Sequence, residues 1–282
     1  MFSIGLSSCG KELEEKLFAD YKEAGITHME LSADAEILEE LDFDKVKALA
    51  DKHGIVLWSM HIPFSPFFFL DPSDPEKQEV TLAYFRWCIR KGAGIGIRNF
   101  VVHPSAEPID ETDRAQRLET AKQSFAALAE YAKQFEAVIA VENLPRTCLG
   151  RDSRDIVELL SAHPDLRCCY DTNHLLSENA ADFIRAVGDK IITTHVSDYD
   201  FLNERHWLPG EGKVNWQEII SALREVGFKG PWLYELGFHA PSSVTRERCL
   251  TCADFARNAN ELLAGKAPTV IGTPVEGLKA WR

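Results

Sequence analysis

The sequence predicts a single (β/α)₈ TIM barrel, and three observations favour this fold class. Short apolar segments alternate eight times with longer amphipathic segments. The apolar segments are nearly continuous, which is typical of parallel strands buried on both faces. The length of 282 residues suits one such barrel. A doubly wound sheet is the rival fold, but no predicted strand is followed by a glycine-rich dinucleotide fingerprint.

Each apolar run predicts one strand of the barrel. The eight runs are 2–7, 28–33, 55–61, 99–103, 137–143, 166–171, 191–196 and 231–236. The clearest helix covers 113–136, where apolar residues recur at spacings of three and four. Asp42 and Ser153 are predicted to be the N-caps of helices over 43–53 and 154–163. The predicted barrel therefore occupies residues 1–265, followed by a short Pro- and Gly-containing C-terminal extension over 266–282.

Composition and charge exclude several classes of protein. Apolar residues make up 45% of the chain and charged residues 27%, which is ordinary for a globular domain. The 31 basic and 44 acidic residues give a net charge of −13. Because such a surface repels phosphodiesters and anionic lipids, neither a nucleic acid nor a membrane is an expected partner.

Cysteine usage and the N-terminal sequence indicate the compartment. Seven cysteines are an odd number in a chain too long to need disulfides. The N-terminus lacks the pattern of a signal peptide, and no apolar stretch has the length of a membrane span. We expect a cytoplasmic protein, and the sequence leaves open whether it forms a homo-oligomer. Cys249 and Cys252 form a C-x-x-C motif that we expect inside the last helix as core residues.

Ionisable residues close six of the predicted strands. These residues are His61, His103, Glu142, Asp171, His195 and Glu235. The C-terminal ends of barrel strands meet on one face, where active sites form. A carboxylate at the end of a buried strand is costly unless it meets a cation. Three carboxylates and an imidazole suit Mn²⁺, Mg²⁺ or Co²⁺, and Zn²⁺ where more imidazoles join.

Five motifs carry a family resemblance over essentially the whole chain. They are VEN with Glu142, YDTNH from Asp171 to His174, HVSD with His195, RHWLPGEGKVNW from Arg205 to Trp216, and YELG with Glu235. In this order they resemble the sugar isomerase/epimerase superfamily of xylose-isomerase-like TIM barrels. Endonuclease IV belongs to the same structural group.

The resemblance implies roles for particular residues. The positions that match Glu142, Asp171, His195 and Glu235 hold one divalent metal in the epimerases of this group. The two glutamates there move protons on and off the carbon next to a carbonyl. Residues matching His174 and the Arg205–His206 region contact substrate oxygens. The implied function is a metal-dependent isomerase or epimerase of a keto-sugar, sugar phosphate or related polyol ketone, acting through proton abstraction and a metal-bound enediolate.

Three other functions remain open at this point. An inosose-type dehydratase would share the same ligands. In a zinc phosphodiesterase like endonuclease IV, His61 and His103 would match extra zinc ligands, and His174 and His206 would match ligands of a third ion. Glu204 departs from that pattern, because endonuclease IV has Asp there. A barrel that binds metal or sugar without catalysis is the third alternative.

Three further positions complete the predicted site. Arg146 follows the VEN motif by a few residues and is a candidate clamp for a substrate phosphate or hydroxyl. Phe68 lies in a run of three aromatic residues, 67–69, which we expect to wall the substrate pocket or to form a subunit contact. Glu30, near the end of the second strand, is a candidate support for a metal ligand.

Overall fold

A closed barrel of eight parallel strands forms the centre of the computed structural model, which describes residues 2–64 and 70–281. The strands are β1 (Ile4–Ser7), β2 (His28–Leu31), β3 (Val56–His61), β4 (Asn99–Val102), β5 (Val138–Glu142), β6 (Arg167–Asp171), β7 (Ile191–His195) and β8 (Trp232–Tyr234). Consecutive strands are neighbours, and β8 also pairs with β1. A parallel bridge from Val196 to Tyr234 closes the gap between β7 and β8. The predicted (β/α)₈ barrel is therefore confirmed.

Helices cover the outside of the barrel. They are α1 (Glu15–Ala24), α2 (Ala35–Glu40), α3 (Phe43–His53), α4 (Gln78–Gly94), α5 (Arg114–Ala132), α6 (Ser153–Leu160), α7 (Ala180–Val187), α8 (Trp216–Glu225) and α9 (Cys252–Leu263). The predicted spacing in α5 is confirmed, since Ala121, Phe125, Leu128 and Ala132 are all fully buried. No helix within the described ranges is long and apolar enough to cross a membrane.

Helix starts confirm one predicted cap and correct two other expectations. The Asp42 carboxylate accepts a hydrogen bond from Lys45 N at 2.9 Å, as expected of an N-cap. The cap predicted at Ser153 is wrong, because Asp152 accepts the bond from Asp155 N and Ser153 Oγ donates to Glu178 instead. The C-x-x-C motif does not lie inside α9: Cys252 is buried but is the first residue of the helix, and Cys249 precedes the helix and is exposed, so the core position expected of Cys249 is wrong.

The C-terminal extension packs on the loop that joins β7 to α8. A short strand, β10 (Thr273–Pro274), pairs antiparallel with β9 (Val244–Thr245). Gly272 N donates to Glu211 Oε1 at 2.7 Å, and Arg246 binds both oxygens of the same carboxylate. The extension thereby fixes a loop that carries several of the predicted site residues.

Candidate active site and metal centre

Four predicted site residues converge at the C-terminal mouth of the barrel. Their ligand atoms all lie within 4.8 Å of one another, and the residues are Glu142, Asp171, His195 and Glu235. His195 Nδ1 is 3.0 Å from Glu142 Oε1 and 3.1 Å from Glu235 Oε2. The first three residues end β5, β6 and β7, and Glu235 directly follows β8. The parallel strands thus bring together side chains that are far apart in the sequence. We refer to these four residues as the outer centre.

Glu30 orients the imidazole of the outer centre. The second ring nitrogen of His195, Nε2, lies 3.1 Å from the Glu30 carboxylate, and Ser59 Oγ donates to Glu30 Oε2 at 2.8 Å. All three side chains are fully buried. A carboxylate that accepts from Nε2–H leaves the Nδ1 lone pair facing the other three ligands. The support expected of Glu30 is therefore present in the geometry.

The outer centre has the features of a divalent-cation site. Asp171 Oδ1 accepts from Asn173 N at 2.6 Å, but Oδ2 is buried and has no hydrogen-bond partner among the described residues. An unsatisfied carboxylate oxygen in a protein interior is costly. Because Oδ2 lies 3.9 Å from His195 Nδ1, it faces the shared point of the cluster. The three carboxylates and one imidazole fit Mn²⁺, Mg²⁺, Co²⁺ or Zn²⁺.

The charges of the outer centre perturb one another strongly. Burial raises the pKa of Asp171 to about 6, with Glu142 and Glu235 acting in the same direction against His174. Burial also opposes ionisation of Glu235, but the adjacent His195 outweighs it and lowers the pKa of Glu235 to about 2. Buried Glu142 is likewise held well below its ordinary pKa, by His195 and His103. Two carboxylates are thus held ionised while the third resists ionisation.

Two more predicted histidines contact the far side of Glu142. His61 Nε2 is 3.1 Å from Glu142 Oε2, and His103 Nε2 is 3.2 Å from the same oxygen. Glu142 therefore presents Oε1 to the outer centre and Oε2 to this histidine pair. Burial lowers the pKa of His61, but contact with Glu142 reverses the direction and raises it to about 9. For His103 burial prevails and the pKa falls below its ordinary value.

A second group forms where the loops after β6 and β7 meet. His174 Nε2 is 3.9 Å from Glu204 Oε2, and His206 Nε2 is 3.9 Å from Glu204 Oε1. The ligand atoms of these three residues also lie within 4.8 Å of one another. His174 Nδ1 is 2.9 Å from the carbonyl oxygen of Asn143, which sets the direction of the ring. The sequence prediction grouped these residues with the site, and the structure brings them to the same mouth.

The two predicted arginines have different surroundings. Arg146 borders the cavity, but its guanidinium already donates to Glu107 and, at 2.8 Å, to Glu204. Arg205 Nε donates to Asp200 at 2.9 Å, and its Nη2 donates to the carbonyl oxygen of Lys279 in the C-terminal extension. Arg205 is therefore directed to the extension rather than to the residues that line the cavity, and we assign it no substrate contact.

A cavity of about 450 Å³ opens above the outer centre. Glu142, Glu235, His103 and His174 border it together with apolar side chains. Phe64 forms part of the wall and stacks on His103, with ring centroids 3.7 Å apart. Phe68 and its aromatic neighbours lie outside the described residues.

Sequence reasoning missed two residues that organise the mouth. Asn143 links β5 and β6, because its amide donates to Asp171 O at 2.9 Å and its Oδ1 accepts from Asp171 N at 2.7 Å. Asp198 accepts from Gly210 N, Val214 N and Trp216 Nε1, which folds the loop after β7 back on itself. Asn143 directly follows Glu142 in the VEN motif and Asp198 comes three residues after His195 in HVSD, so a polar residue in the same motif as a predicted ligand was the available signal.

The fold and the site together define a TIM barrel with a carboxylate and imidazole centre at its C-terminal mouth. Residues 18–253 match the family model described as xylose isomerase-like TIM barrel. The chain belongs to this family, and the resemblance found in the sequence is confirmed.

Individual relatives are more distant. The chain is 30% identical over 133 residues to a D-psicose 3-epimerase of Enterocloster bolteae, a match that covers 44% of this chain and 40% of the relative. It is 25% identical over 193 residues to an uncharacterized protein of Methanocaldococcus jannaschii, covering 64% of each chain. Both matches span less than two thirds of the relative. A solved structure of a D-tagatose 3-epimerase-like protein superposes with a TM-score of 0.73 at 22% identity, covering 83% of this chain and 90% of that chain, which shows a common fold.

Proposed function

We propose that the protein is a metal-dependent isomerase or epimerase of a keto-sugar, a sugar phosphate or a related polyol ketone. One observation carries the proposal: the carboxylates of Glu142 and Glu235 border a single cavity and also belong to one group of four residues whose ligand atoms lie within 4.8 Å of one another. Removal of a proton next to a carbonyl needs a base at that carbon and positive charge near the carbonyl oxygen. The site offers both.

The cation would be held by Glu142, Asp171, His195 and Glu235. When bound, a divalent ion there would polarise the substrate carbonyl and stabilise the negative charge that develops on its oxygen. Glu30 keeps the His195 ring in the orientation that this set requires. Asp171 would supply the oxygen that is left without a hydrogen bond among the described residues.

The two glutamates would carry the protons. In the metal-free chain both have pKa values held below the ordinary range, chiefly by His195 once the opposing effect of burial is overcome. A bound cation would favour the same ionised form in place of a charged His195, so each would be able to act as a base. One carboxylate would remove the proton from the carbon next to the carbonyl. For epimerisation the other delivers a proton to the opposite face, whereas one carboxylate suffices for aldose–ketose isomerisation.

Neighbouring side chains would bind the hydroxyl groups of the substrate. The cavity volume of about 450 Å³ suits a small ligand. His103, His174 and His206 line it with ring nitrogens, and Arg146 lies at its edge. Phe64 would cover an apolar face of the sugar. The name of the D-psicose 3-epimerase relative supports a free ketose as the first substrate to test.

The zinc phosphodiesterase alternative has one supporting observation. His61, His103 and Glu142 form a compact group, and so do His174, Glu204 and His206. The electrostatics oppose it, because the chain carries a net charge of −13 and the guanidinium of Arg146 is bound to two carboxylates. A polyanionic duplex would gain little from counterion release at such a surface.

Solvent hydrogen exchange tests the proposed chemistry. The metal-reconstituted protein is incubated with D-psicose, D-tagatose or D-fructose in heavy water, and deuterium at the carbon next to the carbonyl is followed by NMR. We expect incorporation that Glu142→Gln and Glu235→Gln abolish, because each substitution keeps the shape and removes the base. Glu158→Gln, on the exposed surface of α6, is the matched control. Loss of water from the substrate would instead identify an inosose-type dehydratase.

A second substrate separates the phosphodiesterase. An abasic-site duplex incubated with the same preparation should stay intact at physiological salt. Chelator-sensitive cleavage of that duplex, together with an absence of deuterium exchange across the ketoses, would overturn the proposed function.

A further inference from the structure

A buried thiol lies directly beneath the outer centre. Side chains alternate along β6, and Tyr170 faces outward, where its ring packs 5.4 Å from that of Phe183 in α7. Cys169 therefore faces the barrel interior, on the same side of the strand as Asp171. It packs against Val101 and Ala140 and has no solvent exposure.

The thiol is within reach of two members of the outer centre. Cys169 Sγ, an oxygen of Glu142 and a ring nitrogen of His195 all lie within 4.8 Å of one another, and all three residues are fully buried. We refer to these three residues as the inner group. No role in sugar chemistry requires the sulfur, since the outer centre already supplies four ligands.

An unsatisfied atom next to the inner group points to a cation. Asp171 Oδ2 is buried without a hydrogen bond among the described residues, and Asp171 is two residues from Cys169 on the same strand. Glu30, by contrast, is paired, because both of its carboxylate oxygens lie 3.1 Å from His195 Nε2 and Oε2 also accepts from Ser59 Oγ. Negative charge without a partner is therefore present on the Asp171 side of the thiol.

The dimensions of the inner group suit a thiophilic ion. Zn²⁺ binds sulfur at ~2.3 Å and nitrogen or oxygen at ~2.0–2.2 Å, so tetrahedral ligand atoms lie ~3.3–3.7 Å apart. Because the three ligand atoms lie within 4.8 Å of one another, side-chain shifts of about 1 Å would bring them to this spacing. Thiolate prefers softer ions, whereas the oxygen-rich outer centre suits Mg²⁺ and Mn²⁺.

We propose that Glu142, Cys169 and His195 form an inner metal position for thiophilic divalent ions, which overlaps the outer centre. The inference rests on the proposed function, because it takes the outer centre to be a metal site. The two positions share Glu142 and His195, so one ion excludes the other. On binding, the Cys169 thiol loses its proton to solvent and the thiolate sulfur ligates the ion. Zn²⁺ or Cd²⁺ in the inner position would withdraw Glu142 from proton transfer and act as an inhibitor.

Cobalt titration of the full metal-free chain tests the proposal. Co²⁺ bound to any of these ligands gives visible ligand-field bands, and only a thiolate ligand adds a sulfur-to-cobalt charge-transfer band in the near ultraviolet. We expect both signals in the wild type. Cys169→Ala should lose the charge-transfer band and keep the ligand-field bands, and Cys169→Ser repeats the test with a near-isosteric side chain.

Cys168→Ala is the matched control. Cys168 is the adjacent residue of β6 and is equally buried, but it belongs to the main core outside the strand interior and its thiol donates to the carbonyl of Cys169. This variant should keep both signals. In competition assays we expect Cys169→Ala to weaken Cd²⁺ binding at least ~10-fold while Mn²⁺ affinity stays unchanged, as ligand softness requires.

The outcomes separate this inference from the proposed function. Ligand-field bands without charge transfer in the wild type, or charge transfer that persists in Cys169→Ala, would overturn the inner position and leave the outer centre standing. An absence of all cobalt bands would overturn the metal centre itself, and the inner position with it.

Discussion

Replacement of Asp171 by Asn should change stability in opposite directions with and without metal. Burial, reinforced by the neighbouring carboxylates, raises the pKa of Asp171 from 3.8 to about 6. A difference of this size corresponds to about 3 kcal/mol of destabilisation in the metal-free chain at neutral pH. The Asn side chain keeps the oxygen that accepts from Asn173 N. Its NH₂ group takes the place of the unsatisfied Oδ2 and can donate to Glu142 and Glu235. Without metal, Asp171→Asn should therefore be the more stable protein.

The pH dependence gives the sign of the effect. The unfolded chain ionises Asp171 near pH 3.8, whereas the folded chain ionises it near pH 6. Between these values the folded state holds more protons, so its stability falls as the pH rises and the full cost remains above pH 6. Asp171→Asn lacks this contribution. The metal-free difference between the two proteins should thus be absent below pH 4 and complete at pH 7.

Thermal unfolding followed by circular dichroism measures both effects. In excess chelator at pH 7, the expected gain for Asp171→Asn is roughly 5–10 °C in Tm for a chain of this size. With free Mn²⁺ at ~100 times Kd, the free energy of unfolding of the wild type should rise by about 2.7 kcal/mol and that of the variant by much less. Asp165→Asn, at a half-buried position where the carboxylate pairs with Lys133, is the control, and it should shift the stability by less than about 1 kcal/mol with or without Mn²⁺. A variant that is less stable than wild type in chelator, yet gains as much from Mn²⁺, would refute the reasoning.

Two further substitutions test the supports of the site. Glu30→Gln should weaken Mn²⁺ binding about 10–100-fold in calorimetric titrations while the fold is retained, and unchanged affinity would remove its orienting role. Arg246→Met leaves the buried Glu211 carboxylate without its bidentate partner and should lower the free energy of unfolding in urea by about 3–5 kcal/mol. Arg185→Met, which breaks the exposed pair with Glu225, should lower the free energy of unfolding by less than about 1 kcal/mol. Equal losses in the two arginine variants would contradict the stabilising role assigned to the pair of Arg246 and Glu211.

The barrel and the outer centre were accessible from the sequence for a specific physical reason. Parallel strands buried on both faces appear as continuous apolar runs, and an ionisable residue that ends such a run must lie at the mouth. Glu142, Asp171 and His195 end β5, β6 and β7, as the runs predicted. Glu235 lies one residue beyond β8, which is close enough to keep the same direction. Side-chain convergence then follows from the fold.

Long-range partners were not accessible in this way. Arg205 follows a loop motif that suggests a substrate contact, but its guanidinium binds the carbonyl of Lys279, 74 residues later. Arg146 is similarly engaged by Glu107, 39 residues earlier. A guanidinium has several rotatable bonds, so its direction depends on which acceptor the tertiary fold brings near. Local sequence does not contain that information.

Errors at helix starts have a related origin. Asp152 and Ser153 are both good capping residues, and the local sequence does not rank one above the other. Ser153 Oγ is diverted to Glu178, 25 residues away, which leaves Asp152 as the cap. The start of α9 at Cys252 is set by Thr251, whose hydroxyl pairs with Asp254 in a capping box.

The metal stoichiometry of the chain tests the central claim most directly. The protein is stripped with chelator, reconstituted with a mixture of Mn²⁺, Co²⁺ and Zn²⁺, desalted and analysed for metal content. One divalent ion shared by Glu142, Asp171, His195 and Glu235 predicts one ion per chain in the wild type. In Asp171→Asn it predicts a near-complete loss of bound Mn²⁺, because only the inner position would remain, for at most one Zn²⁺ or Co²⁺. Three zinc ions per chain, retained in that variant, would contradict the account and favour the phosphodiesterase.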